Sequence, residues 1–143
     1  MSVVTPLPLA PAADTMADEV AEHIIRERCG RALGRDVEAA LEAYTFGELS
    51  IWVSPERGFL LLQTIEYDGG PRALFVRAIE GRDLYSPAGV EALRILAIRE
   101  RCERIEAVAT REAVRRQLVR LGFKFVGTRD GKYQFERYVN GRQ

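Results

Sequence analysis

The apolar positions of this chain change period several times, and each change marks an element boundary. Met16, Ala17, Val20, Ala21, Ile24 and Ile25 recur at helical spacing and form one stripe of an amphipathic helix. Thr15 to Asp18 has capping-box spacing, with Asp in place of the usual Glu, and Gly30 or Gly34 is the expected stop. Asp36 is placed to cap a second helix whose buried face is Val37, Ala40, Leu41 and Tyr44. Ahead of both, Pro6, Pro8 and Pro11 exclude Ser2–Leu9 from a sheet interior, so an edge strand or an extended arm is expected.

After Gly47 the period shortens to that of strands. Glu48–Val53 and Phe59–Tyr67 are joined by the turn Ser54-Pro-Glu-Arg-Gly58. Asp68-Gly69 signals a hairpin into a third strand, Arg72–Glu80, in which Leu74, Val76 and Ala78 alternate with Phe75, Arg77 and Ile79. Gly81–Pro87 reads as a loop and Ala88–Cys102 as a helix with Val90, Leu93, Leu96 and Ala97 on one face. Arg104–Ala109 is a strand, Arg111–Leu121 a helix, Phe123–Thr128 a strand, and Asp130-Gly131 turns into a last strand, Lys132–Val139. A strand–helix–strand unit requires parallel pairing and a right-handed crossover. The expected order is β-α-α-β-β-β-α-β-α-β-β. That is an α/β (α+β) domain with a mixed, largely antiparallel sheet flanked by helices, spanning 1–143 with 1–13 as a proline-rich arm or edge strand.

Composition narrows the class. At 143 residues, 47% hydrophobic and 29% charged, the chain is a soluble globular protein by composition. Its 21 basic and 21 acidic residues cancel, so no overall field gathers nucleic acid or an anionic membrane. Cys29 and Cys102 stand far apart without metal-ligand spacing or a disulfide framework, so no metal is expected and a reducing compartment fits. With no membrane-length apolar run and no basic leader at MSVVTPLPLAPAA, a cytoplasmic place is expected.

Charge is nonetheless concentrated locally. From Thr110 to Lys124 the chain carries Arg111, Arg115, Arg116, Arg120 and Lys124 against Glu112 alone. Val114, Leu118 and Leu121 mark the buried face of that helix. Its outer face can be simply solvated. It can also dock on an acidic surface, such as a first helix whose Asp14, Asp18, Glu19, Glu22 and Glu27 outnumber Arg26, which would allow self-assembly. A third possibility is contact with the phosphates of a nucleotide or nucleic acid. Neutral total charge and the lack of aromatic interleaving within the helix disfavour nucleic acid.

The strand RALFVRAIEG, the helix GVEALRILAIRER, the strand RIEAVAT and the run EAVRRQLVRLGFKFVG, in that order, resemble the GNAT superfamily of acetyl-CoA-dependent N-acetyltransferases. The Leu121-Gly122-Phe123 junction is similar to that family's helix-to-strand turn. The ending KYQFERYV is similar to small GNAT-like proteins carried by tailed bacteriophages, which would place the chain in a virion. The resemblance implies acetyl-CoA between splayed parallel strands, with Ile79, Gly81, Arg82 and Gly89 on the cofactor path. Its pyrophosphate would sit on loop amides at a helix start.

Several residues depart from the family pattern. Its phosphate loop reads Arg or Gln, two residues, Gly, one residue, then Gly or Ala. Anchored on Arg82, the small positions are Tyr85 and Pro87; anchored on Ser86, they are Gly89 and Glu91. Pro87 has no amide donor, and Glu91 would repel an anion. Ser86 and Pro87 also make a good cap and first turn for a helix that holds no ligand. Leu118 occupies the slot where active relatives carry a proton-donating Tyr, and Thr110-Arg111-Glu112 stands where an Asn is common. A general base would have to be Glu66 or Glu80, with Tyr67 or Tyr85 as acid. His23, the one histidine, is read as a surface or helix-packing residue. Two functions follow from the likeness. One is a degraded acyl-CoA site in a binding or structural protein that needs no cofactor. The other is a working N-acyltransferase that moves an acetyl group from acetyl-CoA to an amine.

Overall fold

A computed structural model describes residues 4–12 and 18–140. Ser2, Asp14, Thr15, Met16 and Ala17, used in the sequence reading, lie outside the described residues.

The first stripe does not form one straight helix. A short helix, α1 (Asp18–His23), runs into a π-helical turn over Ile24–Arg28, then α2 (Gly30–Leu33) and a 3-10 turn over Gly34–Asp36. The wider turn shifts the phase of the stripe, burying Ala21, Ile24, Ile25, Cys29 and Leu33 while Val20 is left exposed. Gly34 ends α2 with φ 58°, a backbone state that favours glycine. Asp36 precedes α3 (Val37–Thr45) without capping it, because its carboxylate pairs with Lys132.

The strands are β1 (Ala10–Pro11), β2 (Leu49–Val53), β3 (Phe59–Glu66), β4 (Arg72–Glu80), β5 (Arg104–Ala109), β6 (Lys124–Arg129) and β7 (Lys132–Tyr138). Between them lie α4 (Pro87–Arg99) and α5 (Glu112–Arg120). One sheet holds all seven strands in the order β1-β2-β3-β4-β5-β7-β6. Among the described residues only β4 and β5 pair in parallel. The hairpin β6–β7 folds back so that β7, not β6, lies beside β5. The strand at the N-terminal edge is Ala10–Pro11; residues 4–9 precede it as an arm outside the strand, and Leu7 donates its amide to the Ala88 carbonyl at 2.9 Å.

The alternation expected along β4 breaks at one residue. Leu61 pairs with Ala78 while Leu62 pairs with Val76, so Arg77 is the extra residue of a β-bulge. The bulge turns Ala78 to the opposite face from Leu74 and Val76. Leu74 and Val76 join the core beneath α4 and α5, with Leu93, Leu96, Ile105, Leu118 and Phe135. Ala78 joins the core beneath α1 to α3, with Ile25, Leu33, Ala40, Ile51 and Leu61. The two layers cover opposite faces of the sheet.

Candidate functional site

The parallel strands run together only from Ala73 opposite Arg104 to Val76 opposite Ala107. Beyond that point the bulge at Arg77 turns β4 away, and the ends of β4 and β5 diverge into a cleft. Arg77, Ile79, Val108, Thr110, Arg111 and Tyr85 line it. Strand divergence frees backbone groups that the ladder no longer uses, so polar ligands and side chains can reach them.

Here the chain's own side chain reaches in. Tyr85 points into the cleft, and its hydroxyl donates to the Ile79 carbonyl at 3.3 Å. Burial pushes the Tyr85 phenol up to about 12, with the Arg111 charge lowering it and the Glu80 charge raising it further. The remaining cleft volume is about 20 Å³, space for roughly one water molecule.

The loop that delivers Tyr85 is held by side chains. Asp83 accepts from the Ser54 hydroxyl at 2.9 Å and from the Glu56 amide at 3.1 Å, which fastens the loop to the β2–β3 turn. Gly81 and Gly58 touch there, and a Cβ on Gly81 would lie 2.7 Å from the Gly58 Cα. At the head of α4 the Ser86 hydroxyl donates to the Asp83 carbonyl and accepts from the Gly89 amide at 3.0 Å. The expected cap and first turn, Ser86 and Pro87, are therefore in place. The amides of Leu84, Tyr85, Gly89 and Val90 all have partners inside this loop and turn.

Of the two glutamates singled out as bases, neither lines the cleft. Glu80 ends β4 nearby, half-buried, and its charge acts on both Tyr85 and Cys29. Glu66 pairs with Arg72 at the opposite end of β4, about 26 Å away along the strand, and is exposed in an ion pair with that arginine. Tyr67 lies at that far end too, donating to Glu106 at 2.6 Å. Arg82 is exposed and His23 is exposed on α1, whereas Leu118 is buried in the core. Ile79 lines the cleft, whereas Gly81 packs against Gly58 and Asp83 and Gly89 is buried under the Leu84 carbonyl. Among the described residues no group of three His, Cys, Asp or Glu side chains could hold a metal ion.

Thr110 and Arg111 entered the sequence reading only as a departure from the family's Asn and as part of the basic run, and the Ser54–Asp83 tie not at all. Their places at the cleft and its loop are acquired only when β5 and the β2–β3 turn meet the loop after β4.

No protein-family model matches the sequence, and no curated protein is similar to it. Solved structures are similar across the chain. An acetyltransferase of the GNAT family from Listeria monocytogenes superposes with a TM-score of 0.59 at 16% identity, covering 92% of this chain and 94% of that one. A GNAT family acetyltransferase from Elizabethkingia anophelis, solved with acetyl-CoA bound, gives 0.61 at 9% identity over 91% and 96%. The ribosomal-protein-S5-alanine acetyltransferase of Vibrio fischeri gives 0.54 at 14% identity over 92% of each. The mixed sheet, the parallel pair that splays, and the helices that flank them give this chain the GNAT acetyltransferase fold, far diverged in sequence.

Proposed function

We propose that this chain is a GNAT-fold binding protein whose acyl-CoA site is degraded, with Tyr85 holding the slot that a thioester cofactor's arm would take. The observation that carries this reading is the Tyr85 hydroxyl on the Ile79 carbonyl, inside a cleft with room for little more than a water. The loop supports it. Pro87 brings no amide and the Gly89 amide serves the Ser86 cap, while Glu91, beyond the first turn, is paired with Arg94 at 2.8 Å rather than standing as free charge at the helix start. These residues do not fit a pyrophosphate. Isothermal titration with acetyl-CoA is the test. The expected result is no measurable heat and no change in melting temperature, and binding at micromolar affinity overturns the reading.

The binding role falls to the α5 face. Arg116 and Arg120 are exposed, and Arg115 stacks 4.9 Å over Tyr133 and 5.4 Å over Phe125. Tertiary structure thus supplies the aromatic neighbours that the helix itself lacks. The partner is an acidic protein surface, met in an assembly with other chains or with copies of this one, in a virion if the KYQFERYV likeness reflects a phage origin.

One observation favours the alternative, an active N-acyltransferase: the splayed strands survive with Arg111 at the cleft and Glu80 nearby. Positioning alone can carry much of an acyl transfer. Turnover of acetyl-CoA with a panel of amines, lost in Glu80→Gln, would establish that reading in place of the first.

A further inference from the structure

At the other end of α4 lies a second concavity, of about 370 Å³. It exists because two covers stop short of each other. The N-terminal arm reaches the sheet near the head of α4, where Leu7 bonds to Ala88, while α4 itself ends at Arg99. Between them part of the sheet face is left open. Trp52, Leu62, Leu74 and Leu96 form an apolar floor, and Glu48 and Glu100 stand among the lining residues. The size falls within the roughly 300–1,000 Å³ of small-ligand pockets.

The chemistry of the lining selects a ligand class. Among the described residues it holds two carboxylates and no cationic side chain. Two guanidiniums border the groove, and both already have partners. Arg72 pairs with Glu66 and donates to the Glu100 carbonyl, while Arg77 donates to Gln63 at 2.7 Å and feels the Glu48 charge without an ion pair to it. Trp52 has its ring N–H engaged by the Ser50 hydroxyl at 2.9 Å, so the indole has its face left to offer rather than a donor. An electron-rich ring face and carboxylates attract a cation, and the leucine floor asks for an apolar body.

We propose that this groove is a binding site for an organic cation with an apolar body, an alkyl- or arylammonium. Its ammonium group takes up the Glu48 and Glu100 carboxylates, and its body lies on Trp52, Leu62 and Leu96. The site is separate from the splayed cleft. No residue that lines the groove also lines the cleft. The inference therefore stands or falls independently of the reading given to Tyr85.

Trp52 is the one tryptophan of the chain, so intrinsic fluorescence reports on this groove directly. The experiment titrates the full chain with cyclohexylammonium, with cyclohexanol and cyclohexanecarboxylate as neutral and anionic counterparts. Expected is a saturable change with the ammonium alone, weakened about tenfold or more in the Glu48→Gln/Glu100→Gln double variant and by added salt. Both positions are exposed, and an unchanged melting temperature of the double variant confirms that it is folded. A flat titration in the native chain, equal binding of cyclohexanol, or identical curves for the double variant each overturn the proposal.

Discussion

Gly89 sits where a methyl group has no room: a Cβ there would lie 2.2 Å from the Leu84 carbonyl oxygen. Backbone cannot yield as a flexible side chain can, so Gly89→Ala is expected to cost about 3 kcal/mol in urea denaturation. Gly30 is the contrasting case. Nothing lies within 4 Å of its would-be Cβ, and it starts a short helix. Gly30→Ala should stabilise by about 0.4–1 kcal/mol, chiefly through the unfolded chain. Two acids, Cys29 and Tyr85, are the ones raised most and contribute to the alkaline behaviour. Burial raises Cys29 from 9.0 to about 12 and Tyr85 from 10.0 to about 12. The folded chain therefore holds these protons after the unfolded chain has released them, so stability falls as pH rises through this window. For Tyr85 the loss approaches about 3 kcal/mol once pH passes 12, and Tyr85→Phe should flatten the upper part of the curve. Cys29→Ala should flatten its lower part, beginning near pH 9. Denaturation midpoints measured across the range check both.

Each element here is secured at a particular place. The Ser86 hydroxyl accepts the Gly89 amide at the start of α4, and Ser86→Ala is expected to cost about 1 kcal/mol. That substitution also loosens the loop carrying Tyr85, so hydrogen exchange at the Leu84 and Tyr85 amides should quicken with it. Helix α5 is joined to the core by Leu118, which is 1% exposed. Leu118→Ala should lose about 3–5 kcal/mol by leaving a cavity. Leu118→Tyr should also destabilise and should not create an acid in the cleft, since the position faces the core rather than the splayed strands. On the solvent side of α5, Arg116 and Arg120 are exposed, while Arg115 is held over Tyr133 and Phe125.

At the scale of the molecule the charge sums to zero, yet it is unevenly placed. The α5 face is basic, whereas Asp18, Glu19 and Glu27 are exposed on the first helical segment. Part of that acidic face is already neutralised, because Arg26 bridges Glu22 and Glu38. If copies assemble through these faces, sedimentation should show association at low salt that salt suppresses. Arg116→Glu/Arg120→Glu should abolish it, and reversing Asp18 and Glu19 to arginine in that background should restore it. Association that persists in the Arg116→Glu/Arg120→Glu variant would assign the contact to another surface. Among the described residues no helix is long and apolar enough to cross a membrane.

Local physics was enough for much of this architecture. Periodicity placed β4 and β5 at their observed ends, and the serine–proline start of α4 was legible because caps depend on neighbours three residues away. The order of elements implied the parallel pair, since a crossover helix leaves few other topologies. Other features were hidden because they depend on residues distant in the chain. The bulge at Arg77 comes from a register between β3 and β4 that alternation within one strand cannot reveal. Asp36 looked like a cap until Lys132, far along the chain, took its carboxylate. Glu66 and Glu80 looked equivalent on paper, and antiparallel pairing then sent them to opposite ends of the sheet. Tyr85 was visible as an interruption of a phosphate loop. Its place between the strands followed only once they splayed and exposed the Ile79 carbonyl, because hydrogen bonds and burial are set by where the chain folds back, not by spacing along it.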